Sequence, residues 1–385
     1  MPTKIVVSVI SDLVTDQRVH KVCQSLHEEG YIVKLIGAKK KLSLDLNRRD
    51  YSTRRIHMLF QRKIFFFAEF NLRLFFLLLF SRADIYLGND LDTMPANWLA
   101  AWLKRKPIVY DTHEYYMAMA GLDGKRVRKK IWKEIEAFIF PRLKYIYTIC
   151  ESFCDLYAKD YHKKLIAVRN VPYLHPKNPL KDPEIVFKVK SLIPENRKIL
   201  IFQGAGINQH RGAEELVLAM KWLDAGNFHL LIIGGGDLFQ QIRNMILSNN
   251  LQDRITTIPK VPFEILREIT PLGDLGLSLD KGENLNHRFG LPNKIFDYIH
   301  AGLPILSSRL VEPEKIVNEY QVGTFIDSHD PAHIAECIQK LFSDPKQLET
   351  WKTNTERAKQ ELNWEKESKI VLAIFKQVES ERVKV

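Results

Sequence analysis

The same succession of elements opens twice in this chain. Lys4 to Ile10 (K-I-V-V-S-V-I) is a nearly unbroken apolar strand, the pattern of a strand covered on both faces of a parallel sheet. Asp16 to Glu29 follows as a helix with Val19, Val22, Cys23 and Leu26 on one face, and Tyr31 to Ile36 is a second strand. Half-way along, K-I-L-I-F-Q-G (Lys198 to Gly204) begins again. A helix with Leu216, Met220 and Leu223 on one side leads to the strand L-L-I-I-G-G-G-D (Leu230 to Asp237) and another helix. Ile255 to Ile258 and Leu275 to Leu279 are further strands. Alternating β and α units build parallel sheets with helices on both faces, so the expected fold class is α/β with two Rossmann-like domains. At 385 residues and 45% apolar content the chain exceeds one ordinary core, which agrees.

In the first half Asp84 to Leu87, Pro107 to Asp111, Arg142 to Thr148 and Ile166 to Val168 are the remaining strands. R-N-V-P (Arg169 to Pro172) and the proline-containing stretch Leu174 to Asp182 have the composition of a connector. The expected domains are therefore 1–174 and 175–360, with 361–385 carrying a terminal amphipathic helix over Asn363 to Val378.

Composition narrows the function classes. Cys23, Cys150, Cys154 and Cys337 are scattered and lack histidines at zinc-finger spacing, so buried thiols in a reducing compartment are expected rather than disulfides or a metal. Ile5 to Ile10 is too short for a secretory signal, which points to a cytoplasmic protein. The 57 basic against 46 acidic residues give +11, suited to an anionic partner: nucleotide, nucleic acid or acidic membrane surface. No zinc knuckle, aromatic RNA-binding signature or homeodomain-like helix is present, so nucleic acid is not expected.

Ile64 to Phe80 is the most hydrophobic stretch, interrupted by Glu69, Asn71 and Arg73. Each such charge near a bilayer centre costs about 2.5–3.5 kcal/mol, which argues against a spanning helix. Glu69 and Arg73 are spaced to pair on one face. Two readings stay open: a core helix on the sheet, or a helix resting on an anionic membrane surface with Arg62 and Lys63 as its basic flank.

The richest segment chemically is Asn286 to Ser308, N-H-R-F-G-L-P-N-K-I-F-D-Y-I-H-A-G-L-P-I-L-S-S. It reads as loop, helix and strand. Pro292 suits a helix start, Ile295, Phe296 and Ile299 share one face, and Lys294 and Asp297 share another. Gly302 can close the helix in a left-handed cap, and Pro304 prevents its continuation. The bare amides of such a helix start, with Arg288 and Lys294 beside them, suit a diphosphate.

F-G-L-P-N-K-I-F-D-Y-I-H-A-G-L-P-I-L-S resembles the nucleotide-sugar signature of retaining glycosyltransferases of family 4, which have the GT-B fold and usually read E-G-F-G-L-P-x-x-E-A-x-A-x-G-x-P here. The resemblance covers nearly the whole chain and is most specific over 203–308. It implies two Rossmann-like domains facing across a cleft, with the C-terminal helix crossing back to the first. It implies a hexosyl-type transferase moving sugar from a nucleotide-sugar donor (a UDP- or GDP-sugar) to a saccharide or lipid-linked acceptor, as in polysaccharide biosynthesis. The transfer would be metal-independent, with no cofactor and retention of anomeric configuration. The lipid-linked acceptor would place the protein at the inner face of the membrane.

Donor contacts follow residue by residue. Arg211, before Gly212, matches the family's diphosphate-binding lysine. The family's earlier arginine is absent, with Ala205 near its position between Gly204 and Gly206, and Lys294 or Arg288 could replace it. Gly234, Gly235 and Gly236 would let backbone approach the nucleotide, and Pro262 lies where the base is usually met. His287 stands at the first signature glutamate, and Asp297 at the second, where it would hold ribose hydroxyls. Gly290, Leu291, Pro292 and Asn293 complete the loop. Glu283 and Asn286 are further candidates for the sugar.

On the acceptor side the turn after the first strand, Ser11 to Arg18, lacks the usual glycines. Asp12, Asp16 and Arg18 could meet acceptor hydroxyls or a phosphate, while Thr15 or Asp16 could cap the helix, the role favoured for Asp16. Asn89 to Thr93 contains a D-x-D, Asp90 and Asp92, formally a metal-binding pattern but also at a helix start. I-V-Y-D-T-H-E (Ile108 to Glu114) resembles the family's histidine element, so His113 and Glu114 would face the sugar or acceptor, and His113, Arg211 and Lys294 are the candidate catalytic residues. A GT-B protein that binds the donor without transferring it, and a GT-B-fold epimerase, are the alternatives.

Overall fold

In both halves the central strands are apolar because both of their faces are covered. The computed structural model describes residues 2–14, 16–41, 43, 45–61, 63–119, 126–175 and 183–383, with 63 and 383 described by backbone alone. Thr15, Arg62, the Lys63 side chain and connector residues 176–182 lie outside that description. The chain divides into two units, Met1–Asn170 with Glu365–Val385, and Val171–Trp364.

The first unit runs β1 (Lys4–Ser8), α1 (Gln17–Glu28), β2 (Ile32–Lys39), β3 (Ser52–His57), α2 (Lys63–Leu79), β4 (Ile85–Asn89), α3 (Met94–Lys104), β5 (Ile108–Thr112), α4 (Arg126–Ile139), β6 (Tyr145–Thr148), α5 (Glu151–Tyr161) and β7 (Ile166–Ala167). Its sheet has the order β3-β2-β1-β4-β5-β6-β7, and every pairing is parallel. Val7 lies opposite Leu35 on one side and Leu87 on the other, which places β1 centrally and explains its apolar middle, Ile5 to Val7. Asp16 caps α1, its carboxylate accepting the Val19 N–H at 3.0 Å and the Ser11 hydroxyl at 2.6 Å. The Glu69–Arg73 pair on α2 forms at 2.8 Å. No helix among the described residues is long and apolar enough to cross a membrane.

The second unit runs α6 (Pro183–Ser191), β8 (Lys198–Gly204), α7 (Ala213–Ala219), β9 (Phe228–Gly234), α8 (Phe239–Ser248), β10 (Ile255–Pro259), α9 (Phe263–Ile269), β11 (Leu275–Ser278), α10 (Leu285–Phe289), α11 (Asn293–His300), β12 (Ile305–Ser308), α12 (Val311–Tyr320), β13 (Gly323–Ile326), α13 (Pro331–Phe342) and α14 (Pro345–Glu361). Its parallel order is β10-β9-β8-β11-β12-β13. Trp364 is buried at 1% exposure, and its backbone N–H donates to the Pro172 carbonyl at 2.8 Å.

The last helix, α15 (Trp364–Val383), packs on the first unit. Val371, Ile374, Phe375 and Val378 are buried, and Phe375 meets the Tyr31 ring at 6.4 Å. Glu379 accepts from Thr3 and Tyr31, and Glu381 pairs with Lys144 and Tyr145. The Glu367 carboxylate accepts the Arg169 N–H at 2.8 Å.

In both sheets the strand order reverses at one place, between β1 and β4 and between β8 and β11. Open α/β sheets bind ligands beyond the carboxyl ends of the strands at that reversal. In the second unit α11 is fastened there by Tyr298, whose hydroxyl donates to the Leu277 carbonyl at 3.0 Å and accepts the Gln203 N–H at 3.3 Å. Its ring lies directly on Gly276, where a Cβ would come within 2.4 Å of Tyr298 Cγ. Gly276→Ala should therefore displace the ring and cost about 1–3 kcal/mol, measured by urea unfolding. A stability equal to wild type would mean that Tyr298 does not fix α11.

Candidate functional site

Two clusters of polar residues stand at these reversals, one in each unit. In the second unit the cluster is organised by Asp280, just past β11. Its carboxylate is 2% exposed and lies 3.0 Å from Arg211 Nη1 and 3.4 Å from Lys294 Nζ. Burial opposes ionisation of Asp280, but Lys294 and then Arg211 hold its pKa below the ordinary value. Lys294 sits in the first turn of α11, 10% exposed, with its ammonium 4.7 Å over the Phe202 ring. Burial lowers its pKa against the pull of Asp280. Arg211 is 32% exposed, so the guanidinium has one side on Asp280 and another open to solvent. Two cations on one carboxylate leave a net positive charge.

Local backbone chemistry sets Arg211 in place. Gly212 has φ +78°, and a Cβ there would meet the Leu279 carbonyl oxygen at 2.3 Å, so only glycine lets this turn reach the end of β11. The neighbouring Lys281 N–H donates to the His210 carbonyl at 2.8 Å, tying the Arg211 loop to the Asp280 loop. Gly234 and Gly236 are required for a similar reason: a Cβ on Gly234 would strike the Gly204 carbonyl oxygen at 1.9 Å, and one on Gly236 the Ile207 nitrogen at 2.5 Å. Those two glycines close one loop of the chain on another. Gly204 and Gly235 have room beside them, Gly206 faces Asn208, and Pro262 is exposed at the start of α9.

At the start of α11, Pro292 provides no side-chain cap to the first amides. Gly290 and Leu291 are buried, Pro292 is half-buried and Asn293 is exposed. One turn beyond Lys294, Asp297 accepts from Gln203 Nε2 at 3.1 Å, and Gln203 Oε1 in turn accepts the Thr270 hydroxyl at 2.8 Å. Gln203 is buried and fixes that carboxylate; it and Asp280 were not singled out from the sequence. His287 lies on α10, whose N-terminus is capped by Asn284 at 2.8 Å. Burial first, then the Arg211 charge, lowers its pKa, so the imidazole is neutral at pH 7. Its Nδ1 is buried with no hydrogen-bond partner.

In the first unit Arg18 is buried at 4% exposure and grips Asp111 with two donors, Nη2 to Oδ1 at 2.8 Å and Nε to Oδ2 at 3.0 Å. Its Nη1 donates to the Val168 carbonyl at 2.7 Å. Arg18 therefore lies behind Asp111. His113 follows on the same strand end, with Nε2 3.2 Å from Asp111 Oδ2 and Nδ1 3.2 Å from Asp90 Oδ2. Its N–H also donates to Asp90 Oδ1 at 2.9 Å. Burial alone would depress the imidazole, but Asp90 and Asp111 overcome it and push its pKa up to about 9. Asp111, despite burial, is held down to about 2 by Arg18 and His113. His113 is thus a cation with both ring nitrogens 3.2 Å from carboxylate oxygens, an ion-paired group whose Nε2 makes no hydrogen bond and which is not a proton acceptor at neutral pH.

Asp90 adopts φ 56°, ψ 160°, a region nearly reserved for glycine, and its grip on His113 maintains that strain. Asp92 is 8% exposed, with Oδ1 unpaired and its pKa raised, burial first and Asp90 second. Among the described residues no group of three or more His, Cys, Asp or Glu is placed to hold a metal ion. Glu114 is exposed, its carbonyl accepting from Thr112 and Tyr157.

Residues 184–358 match the family model of the glycosyl transferases group 1. The group 1 match spans most of the second unit and contains every residue of the Arg211–Asp280–Lys294 cluster. No curated protein sequence matches the chain. Among solved structures the chain is similar to a sucrose-phosphate synthase from Thermosynechococcus elongatus, at 15% identity and TM-score 0.79, covering 98% of this chain and 99% of that one. A glycosyltransferase from Rickettsia africae matches at 16% identity and TM-score 0.74, with 98% of each chain covered. HepE from Anabaena, solved with UDP and glucose, matches at 11% identity and TM-score 0.73 over 100% of both chains. Two Rossmann-like sheets with a final helix returned to the first are the GT-B fold expected from the signature segment.

The His113 cluster makes the first unit sensitive to pH with a definite sign. A histidine raised from 6.5 to about 9 contributes stability fully present below pH 6.5 and lost as pH rises through 9. That contribution is about 3 kcal/mol at 1.36 kcal/mol per unit. Unfolding measured from pH 6 to 10 should show wild type converging on His113→Gln as the pH rises. A constant difference between the two would mean that the imidazole is not held charged.

Proposed function

We propose that the protein transfers a sugar from a nucleoside-diphosphate donor to a hydroxyl of a saccharide or lipid-linked saccharide. The observation that carries this reading is the convergence of Arg211 and Lys294 on Asp280 beside the start of α11, at the strand reversal of the unit that matches the group 1 model. Such a site offers a diphosphate two cations and the first amides of a helix. The UDP and glucose named for HepE support a nucleotide sugar as the donor.

The chemistry balances without further reagents. The acceptor oxygen bonds to C1 of the sugar while the C1–O bond to phosphate breaks. The electron pair stays on the departing diphosphate, which takes up the acceptor's proton. Arg211, Lys294 and the α11 amides offset the charge that develops on the phosphate, so the step requires no metal ion. Asp297, aimed by Gln203, accepts from the ribose hydroxyls, and neutral His287 donates to or accepts from the sugar. The acceptor is oriented in the first unit by His113, Asp90 and Glu114 at the ends of β4 and β5, with Arg18 acting through Asp111. Retention of anomeric configuration is part of the proposal, on the likeness of the signature segment, as is a cytoplasmic site of action.

The test is incubation with a panel of UDP- and GDP-sugars, following nucleoside diphosphate release with and without saccharide acceptors. One donor should be turned over in an acceptor-dependent way, and Arg211→Ala should lower kcat about 100-fold or more. Binding of the donor without release, release of an isomerised sugar nucleotide without any acceptor, or unchanged turnover by the variant would each refute the assignment.

A further inference from the structure

We infer that the layer formed by α2, α3 and α4 is a docking surface for a lipid bilayer rich in anionic headgroups. The inference concerns the first unit alone and stands whether or not the donor reading does. Helix α2 is apolar on two opposite sides. Phe66, Phe70, Leu74 and Leu78 are buried on the sheet, while Phe65, Leu72 and Phe76 line the outer side, continued by Phe80 just past its end. A helix that packs only into a soluble core shows a polar outer side. The two charged residues nearby are engaged elsewhere: Glu69 is 9% exposed and accepts the Leu59 and Phe60 N–H groups, and Arg73 pairs with it while donating to the His57 carbonyl.

The same outward stripe continues on the neighbouring helices. On α3 it is Leu99, Trp102 and Leu103, and on α4 it is Val127, Ile131 and Phe138. Aromatic contacts join the three helices into one layer: Phe67 meets Trp132 edge-on at 5.6 Å, Trp98 meets Phe138 at 5.2 Å, and Trp98 stacks on Trp102 at 6.2 Å. An apolar face spread over three packed helices marks a contact site.

Charge selects the occupant. On α4 the stripe is flanked by Arg126, Lys129, Lys130 and Lys133, all exposed, against one exposed carboxylate, Glu134. Exposed Arg82 and Arg105 lie just past α2 and α3. Tryptophan and phenylalanine among lysines and arginines fit the boundary between acyl chains and phosphate headgroups, with apolar groups entering and cations staying at the phosphates. A second copy of the chain would bring like-charged flanks together across a two-fold axis, which disfavours that occupant.

The test is co-sedimentation of the full chain with vesicles of phosphatidylcholine alone or mixed with phosphatidylglycerol, alongside sedimentation velocity without lipid. Binding should require phosphatidylglycerol and fall with added salt. The paired change Lys130→Gln and Lys133→Gln should lower the partition coefficient about five-fold per lysine. Phe76→Glu with Trp102→Glu should abolish binding while the melting temperature is retained. Absence of binding to either vesicle, equal binding to both, or a dimer dispersed by Trp102→Glu without lipid binding would overturn the proposal.

Discussion

One buried carboxylate sets the character of the second unit's site. Asp280 is nearly inaccessible, and a lone charge at such a position would be costly. Arg211 and Lys294 remove that cost, and in doing so they are drawn from two different loops to one point. The pairing also limits their conformations, so the residual positive charge stays beside the first turn of α11. Two backbone approaches support that arrangement. Gly212 lets the Arg211 turn touch the end of β11, and Tyr298 pins α11 through a ring lying on Gly276.

The first unit repeats the logic with the signs redistributed. Arg18, Asp111, His113 and Asp90 alternate in charge and sum to neutrality when the imidazole is protonated. Such a chain orients its terminal carboxylate without attracting an anion. The strained backbone at Asp90 is then understandable as the cost of bringing that carboxylate onto both the ring and the N–H of His113.

Much of this was legible in the residues. The start of α11 after Pro292, the left-handed Gly302 at its end (φ +75°) and the cap at Asp16 follow local rules that need no tertiary knowledge. The doubled strand–helix succession likewise anticipated two parallel sheets. Other features depend on distant partners. Arg18 and Asp111 are 93 residues apart, so nothing near Arg18 announced that its guanidinium would be turned inward. Asp280 carries no motif; its only signal is its place one residue past an apolar strand, at the carboxyl end where α/β ligands collect. The strand S-T-R-R-I-H (β3) looks like a loop because it is an edge strand with one neighbour, free to carry charge. For Ile64 to Phe80 the core reading holds on one side of α2, where Phe66, Phe70, Leu74 and Leu78 are buried, while the opposite side is exposed.

The most direct measurement is a crystal structure of the protein with a bound nucleoside diphosphate. The account predicts phosphate oxygens within hydrogen-bonding distance of Arg211 and Lys294, at the amides that open α11, with ribose hydroxyls on Asp297. A diphosphate bound elsewhere, with the Arg211–Asp280–Lys294 cluster untouched, would contradict it.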